Sequence, residues 1–284
     1  MDAGALKWDL LYVSNGNGTV TVYRYWKRRL VGTLTGFITP LGECVDKIGD
    51  VFITDDDASK IFEYAHGHKD PMNVLTDGTD NPYGCSVDPV TGKLAVANIH
   101  ANIAVYNLAT KKVRNYSTSP YVYAPLACAY DNKGNLFVTG TQGSEPYTSF
   151  AELPKNGAGF FGLSLLPSSS WQWVNAESIQ WDGTYVVIGE ENAFRFTITH
   201  KGNSSFEGET VLDGIFNGIE SWITNFSGNP SEQGTQIVAA SGAPSGIGAG
   251  SVMYWDYPAG GAAIASIKDG IYYPYGVTVS LKSK

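Results

Sequence analysis

Three consecutive carboxylates, Asp55-Asp56-Asp57, form the densest group of potential metal ligands in this sequence of 284 residues. Calcium takes roughly six to eight oxygen ligands, so this turn coordinates the ion only if backbone carbonyls or a second loop complete the shell. The alternating Asp pattern, central Gly and closing Glu of an EF-hand are absent from the sequence here. The competing interpretation is a solvated turn, because Asp is a common turn former.

Histidines offer two further chemical possibilities. His66-Gly67-His68 has the residue types of a metal-binding pair, and His100 could act as a base beside a carboxylate. A solvated loop histidine is the alternative for each. Nucleophilic catalysis has less support, because the sequence contains no Gly-x-Ser-x-Gly elbow. Phosphate binding is also unsupported, because the glycine-rich stretch 246–250 lacks a following Lys-Ser/Thr.

Composition limits the class of protein. The 27 acidic and 19 basic residues give a net charge of −8, which argues against a nucleic-acid partner. A hydrophobic content of 43% is globular, and the abundance of Gly, Tyr, Phe and Trp favours strands and tight turns over helices. No apolar run approaches the roughly 20 residues of a membrane helix, so no membrane span is expected. The first five residues lack the features of a signal peptide.

A repeat of roughly 40–55 residues organises the chain. Each copy contains a five-residue segment made of a small residue, an apolar or mixed triplet and a turn-forming polar residue. A second apolar run, a third alternating run and a weaker fourth follow each segment, which predicts four strands per repeat. The six segments are 42–46, 84–88, 127–131, 178–182, 221–225 and 276–280.

The last segment lies at the C-terminus, whereas its partner strands lie between residues 9 and 35. One blade is therefore expected to be built from both ends of the chain. We predict an all-β, six-bladed β-propeller with four-stranded antiparallel blades, forming a single domain over residues 1–284.

This architecture sorts the loops onto two faces. The connections between blades and the second-to-third strand turns form one face, here named the connector face. The first-to-second and third-to-fourth strand turns form the opposite face, here named the turn face. The connector face is expected to be aromatic and acidic, and the turn face basic. Aromatic rings and carboxylates can hold sugars, polyols, amines or a protein. The alternative is that the aromatic side chains only cover the core between the blades. The predicted ligand-binding residues are Tyr83, Tyr123, Trp171, Trp173, Tyr273, Tyr275, Glu177 and Glu220.

The three cysteines, Cys44, Cys85 and Cys128, lie on first strands of consecutive blades. An odd number cannot be fully paired within one chain. Equivalent points of adjacent blades are expected to be too far apart for the ~5.5 Å Cα separation of a disulfide. We therefore predict that the cysteines are small buried apolar residues, and they do not establish the compartment.

The segments 40–54 and 82–97 carry a proline, a glycine, an apolar strand, Asp, a glycine turn and a second strand. They resemble NHL-type propeller repeats, and the likeness extends over essentially the whole chain. The sequence is also similar to secreted or lipoprotein-type bacterial propellers of no established activity. This resemblance implies the propeller fold and a secreted, periplasmic or cell-envelope location, with no leader in this chain.

Gluconolactonase and paraoxonase are similar six-bladed enzymes, which hold calcium at the mouth of the channel with Glu, Asn and Asp side chains. That resemblance implies a calcium site formed by Glu43, Asp55, Asn98 and Glu190, which occupy loosely comparable places in this sequence. The characteristic ligand motifs of those enzymes are not recognisable here.

Two functions follow as expectations, and a purely architectural interaction module with no pocket is the third alternative. The first is a monomeric binding module that holds a small polar ligand, a carbohydrate or a protein through the connector face. The second is a calcium-dependent lactonase or esterase, in which the cation polarises a carbonyl and activates water. No catalytic residue is assigned for the second function.

Overall fold

The computed structural model describes residues 1, 4–78, 80–142, 145–164, 178–189, 191–199, 202–215, 218–225, 235–242 and 250–282. A 3₁₀ turn at Ala5–Lys7 precedes a chain of strands. No helix in these ranges is long and apolar enough to cross a membrane. The strands are β1 (Leu10–Asn15), β2 (Thr19–Arg24), β3 (Arg29–Thr35), β4 (Pro40–Val45), β5 (Val51–Asp55), β6 (Lys60–Tyr64), β7 (Asn73–Thr76), β8 (Pro82–Val87), β9 (Leu94–Asn98), β10 (Asn102–Asn107), β11 (Lys112–Ser117), β12 (Ala124–Tyr130), β13 (Leu136–Gln142), β14 (Glu145–Leu153), β15 (Phe161–Gly162), β16 (Ser178–Trp181), β17 (Val186–Gly189), β18 (Asn192–Thr199), β19 (Asn203–Asp213), β20 (Gly218–Asn225), β21 (Thr235–Gly242), β22 (Gly250–Tyr257), β23 (Gly261–Ala262), β24 (Ala265–Ile267) and β25 (Pro274–Ser280).

These strands form six sheets arranged as a β-propeller. Blades one, two and three are β4–β7, β8–β11 and β12–β15; blade four is β16–β19, and blade five is β20, β21, β22 and β24. The short strand β23 adds to the outer edge of blade four in parallel with β19. Each blade otherwise consists of four antiparallel strands, which confirms the predicted all-β, six-bladed architecture.

Blade six joins the two ends of the chain, as predicted. Its strand order is β25-β1-β2-β3, and Leu10 pairs with Ser280. Asp9 strengthens the closure, because its carboxylate accepts the backbone N–H of Lys282 and the indole N–H of Trp26, both at 3.0 Å. The last strand of the chain thereby becomes the innermost strand of blade six.

Glycine at the start of the repeated segment allows the inner strands to approach closely around the axis. A Cβ atom on Gly42 would lie 2.4 Å from the Tyr83 carbonyl oxygen, and one on Gly84 would lie 2.7 Å from the Leu126 carbonyl oxygen. Both distances are shorter than side-chain carbons tolerate against backbone. The small residue in the repeat therefore sets how tightly blades one, two and three pack.

Each interface between neighbouring blades contains one buried apolar cluster. This follows from strand geometry, because alternate side chains of a blade point to its two neighbours. Trp222, on the inner strand β20, packs against the cluster between blades five and six and also against that between blades one and two. Its indole therefore extends across the axis of the ring.

The cysteine prediction is wrong for two residues. Cys44 and Cys85 form a disulfide with a Cα separation of 5.6 Å, whereas Cys128 is buried and keeps its thiol. The two half-cystines are not equivalent: Cys44 is the third residue of its segment and Cys85 is the second. Side chains alternate along a strand, so Cys44 faces forward to blade two and Cys85 faces back to blade one. The disulfide consequently joins the inner strands of adjacent blades.

Candidate functional site: the connector face

The connections between blades are held by side chains at the ends of second strands. Asp55, at the end of β5, is fully buried and accepts the backbone N–H groups of Ile38 and Thr39 at 3.0 and 2.8 Å. Asn15, at the equivalent end of β1, accepts the N–H of Tyr272 at 2.9 Å. These oxygens satisfy amides of the connecting loops, which fixes the backbone of the connector face.

The other carboxylates of the Asp55-Asp56-Asp57 turn tie two connections together. Asp56 accepts a hydrogen bond from the amide of Asn81 at 2.8 Å, and Asp57 accepts one from the hydroxyl of Thr39. Burial, with nearby carboxylates, raises the pKa of Asp56. The turn is therefore a structural junction as well as a source of surface charge.

A second buried junction lies between blades one and two. Asp77 accepts a hydrogen bond from the phenol of Tyr106, and burial raises the pKa of Asp77 to about 6. Asn98, at the end of β9, is fully buried and donates to Asn102 Oδ1 at 2.9 Å. Both side chains stabilise the loop that leads from blade one into blade two.

The residues predicted to bind calcium have separate structural roles. Glu43 is fully buried between blades six and one, where it accepts the hydroxyl proton of Ser14 at 2.8 Å. Both oxygens of Asp55 accept connector amides, and Glu190 lies outside the described residues. Within the ranges that the structure describes, no group of three or more His, Cys, Asp and Glu residues is placed to hold a metal ion.

The histidines also take part in structural contacts. His66 Nδ1 lies 2.6 Å from Ser280 Oγ, and Nε2 lies 3.1 Å from the carbonyl oxygen of Trp8. Burial lowers the pKa of His66. His66 thus links blade one to both ends of the chain on the turn face. His100 Nε2 lies 3.2 Å from Asn81 Oδ1 on the connector face.

Aromatic and apolar side chains are exposed on several connections. Tyr123 is 65% exposed and Ile38 is 63% exposed, while Tyr121 and Tyr272 are 39% and 38% exposed. These residues lie in the connections before blades three, one and six. The predicted ligand-binding residues include Tyr123 but not Tyr121, Tyr272 or Ile38. A single isoleucine in a loop carries no sequence signal that it will face solvent.

The remaining predicted ligand residues differ in their surroundings, and the structure describes only some of them. Tyr273 and Tyr275 form an edge-to-face pair with ring centroids 5.3 Å apart at the start of β25, and Tyr83 is partly buried. Glu220 belongs to β20, but its side chain is not described. Trp171, Trp173 and Glu177 lie outside the described residues. The structure therefore places the described tyrosines on one face and leaves the predicted acidic ligands untested.

The sequence matches no protein-family profile and no curated protein. Similar solved structures include a chain of a nidogen/laminin complex, with 13% identity and a TM-score of 0.72 over 97% of this chain and 99% of that chain. A functionally unknown protein from Desulfotomaculum acetoxidans DSM 771 has 8% identity and a TM-score of 0.63, covering 97% and 100%. A protein of unknown function from Bacteroides caccae has 10% identity and a TM-score of 0.64, covering 96% and 98%. These similarities support the six-bladed propeller fold and no particular activity.

Proposed function

We propose that this protein is a binding module that holds a protein partner through its connector face. The observation that carries the proposal is the set of exposed Tyr123, Tyr272 and Ile38 side chains on three different connections of a rigid face. Tyrosine supplies a large apolar area with little loss of conformational entropy, and it is enriched among residues that dominate interface energies. A ligand that reaches several of these connections must span the face, which favours a protein over a small molecule.

The acidic residues of the connector face also indicate the charge of the partner's surface. Asp57 is exposed on the connector face and Asp56 is partly exposed beside it. Basic side chains on a partner would meet these carboxylates and the tyrosines together, which would increase the association rate and fix the orientation. The partner is therefore a protein with a basic surface that carries apolar groups.

The disulfide supports an extracytoplasmic location. Disulfides persist mainly in oxidising compartments, and Cys44–Cys85 joins two blades of the core. We infer a secreted, periplasmic or envelope protein of bacterial NHL type, in keeping with the resemblance of segments 40–54 and 82–97. The similar chain in the nidogen/laminin complex offers a fold-level analogy for protein binding.

The first prediction concerns loss of binding after changes on the connector face. The wild type, immobilised and exposed to the extracytoplasmic proteins of its source, is expected to enrich a basic protein. The double variant Tyr123→Ser and Tyr272→Ser is expected to bind that purified protein about 10–100-fold more weakly, because two aromatic contacts are removed. Isothermal titration calorimetry measures the change, and circular dichroism checks the fold.

Val113→Ser is the matched control, because Val113 is 52% exposed on the outer strand β11 rather than on the connector face. Its affinity is expected to equal that of the wild type. Equal binding by the double variant, or equal loss in the control, would contradict the proposal. Binding to a glycan array that the double variant loses would instead identify a carbohydrate as the ligand.

A further inference from the structure

A concave site lies on the turn face, between blades three and four. The cavity has a volume of about 200 Å³, which corresponds to six or seven water volumes at ~30 Å³ each. Blade three contributes Phe137 and Glu152, and blade four contributes Trp181, Thr197 and Ile198. This site is remote from the connector face, because the turns at its rim belong to the opposite end of the blades.

The rim is held in place by the protein itself. Asp131 accepts the backbone N–H groups of Lys133 and Asn135 at 2.8 and 2.9 Å and the side-chain amide of Asn135 at 2.7 Å. Asn135 Oδ1 in turn accepts the backbone N–H of Lys155 at 3.0 Å. The shape of the opening therefore does not depend on a ligand, which lowers the entropic cost of binding.

Two of the residues that line this cavity, Trp181 and Glu152, carry polar groups of complementary chemistry. The indole N–H of Trp181 is buried and has no hydrogen-bond acceptor among the residues that the structure describes. Glu152 lies on β14 in register with Phe137 of β13, and it is only 2% exposed. A buried donor without a partner costs roughly 1–3 kcal/mol, so a ligand oxygen that accepts from Trp181 would recover part of that free energy.

We propose that this cavity binds a small neutral molecule that carries several hydroxyl groups, such as a single sugar ring or a short polyol. A hydroxyl oxygen accepts from the Trp181 indole, and a second hydroxyl donates to the Glu152 carboxylate. The apolar face of the ligand packs on Phe137 and Ile198, as sugars do on aromatic surfaces. The residues that line the cavity include Asp131 and Glu152 as well as Lys133, so charges of both signs are already present and a neutral ligand is favoured.

The test uses the full chain and a panel of neutral and charged probes. Glucose, galactose and mannitol are compared with glucuronate and glucosamine by saturation-transfer NMR and calorimetry. At least one neutral probe is expected to bind with up to millimolar Kd, and the charged analogues more weakly. Trp181→Phe keeps the aromatic ring and removes the N–H, and it is expected to weaken binding about tenfold, the effect of one lost hydrogen bond.

Trp26→Phe is the matched control, because the Trp26 indole donates to Asp9 in blade six, away from this cavity. It is expected to bind the probe like the wild type, provided that thermal melting shows a folded protein. Failure of every neutral probe to bind, or unchanged affinity in Trp181→Phe, would overturn the inference. The connector-face variant Tyr123→Ser, Tyr272→Ser should retain sugar binding, so this result is independent of the proposed protein partner.

Discussion

Replacing both Cys44 and Cys85 with alanine is expected to lower the free energy of unfolding by about 4 kcal/mol. The disulfide closes a loop with a sequence separation of 41 residues, and the chain-entropy relation for a loop of this length gives about 4 kcal/mol. Urea unfolding at neutral pH measures the effect. The wild type should lose a similar amount when a reducing agent opens the disulfide, whereas the double variant should not respond.

Cys128→Ala is the matched control for this prediction. Cys128 is 3% exposed on the inner strand of blade three and lies outside the disulfide. Its replacement removes one buried sulfur and is expected to cost about 1 kcal/mol, without changing the response to reductant. A wild type whose stability is the same in oxidising and reducing buffer would contradict the assigned role of the disulfide.

The second large effect is a dependence of stability on pH that Glu43→Gln should remove. Glu43 is fully buried, and burial raises its pKa well above the usual value, outweighing the hydrogen bond from Ser14. A glutamate in the unfolded chain ionises near pH 4.3. Between that pH and the higher pKa of the folded state, Glu43 must take up a proton when the protein folds. In that window the wild type loses stability as the pH rises, by at most about 1.4 kcal/mol per pH unit.

A glutamine side chain cannot ionise, so the Glu43→Gln variant should lack this contribution. The free energy of unfolding of the variant, relative to that of the wild type, is therefore expected to increase as the pH rises above about 4.3, by at most about 1.4 kcal/mol per pH unit. Urea unfolding at several pH values measures it. Glu207→Gln, at an exposed position on β19, should change stability by less than about 0.5 kcal/mol at every pH. Parallel pH profiles for wild type and Glu43→Gln would contradict the account.

The fold could be predicted because its physical causes repeat along the sequence. Each blade requires a small residue where inner strands meet, alternating apolar residues on both faces and a turn-forming polar residue. Gly42 and Gly84 show the first of these requirements directly, since a Cβ at either position would overlap the backbone of the next blade. The closing blade could be predicted because its first strand was missing at the N-terminus and present at the C-terminus.

The repeated segments contain the information that predicts the cysteine pairing. The segments Gly42-Glu43-Cys44 and Gly84-Cys85-Ser86 place the two cysteines at different positions after glycine. The third position of the segment in blade one faces the second position of the segment in blade two, so equivalent positions are not the ones that meet. Strand alternation, rather than the distance between equivalent points, decides which side chains meet.

The chemical roles of the site residues were less predictable. Asp55 has the residue type of a metal ligand, but its partners are the amides of Ile38 and Thr39 in a loop that the repeat pattern does not resolve. The exposed tyrosines could be assigned to the connector face from topology alone. The cavity lined by Glu152 and Trp181 could not, because its two walls come from different blades and no motif joins them.

The offset contact between blades is the central structural claim, and Ser86→Cys tests it most directly. Ser86 is the third residue of its segment, like Cys44, and Cys128 is the second residue of the next segment, like Cys85. The sulfur of Cys128 lies 3.7 Å from the carbonyl oxygen of Ala95, which is the strand partner of Ser86. The sulfur of Cys85 lies 3.8 Å from the carbonyl oxygen of Phe52, the strand partner of Cys44.

The measurement is a free-thiol count with peptide mapping of the oxidised Ser86→Cys protein. We predict no free thiol and a new cross-link between residues 86 and 128, beside the existing Cys44–Cys85 disulfide. Ala129→Cys is the control, because Ala129 is a third position that faces the segment containing Ile179, and it should leave Cys128 and the new cysteine reduced. Two free thiols in oxidised Ser86→Cys would contradict the arrangement of blades described here.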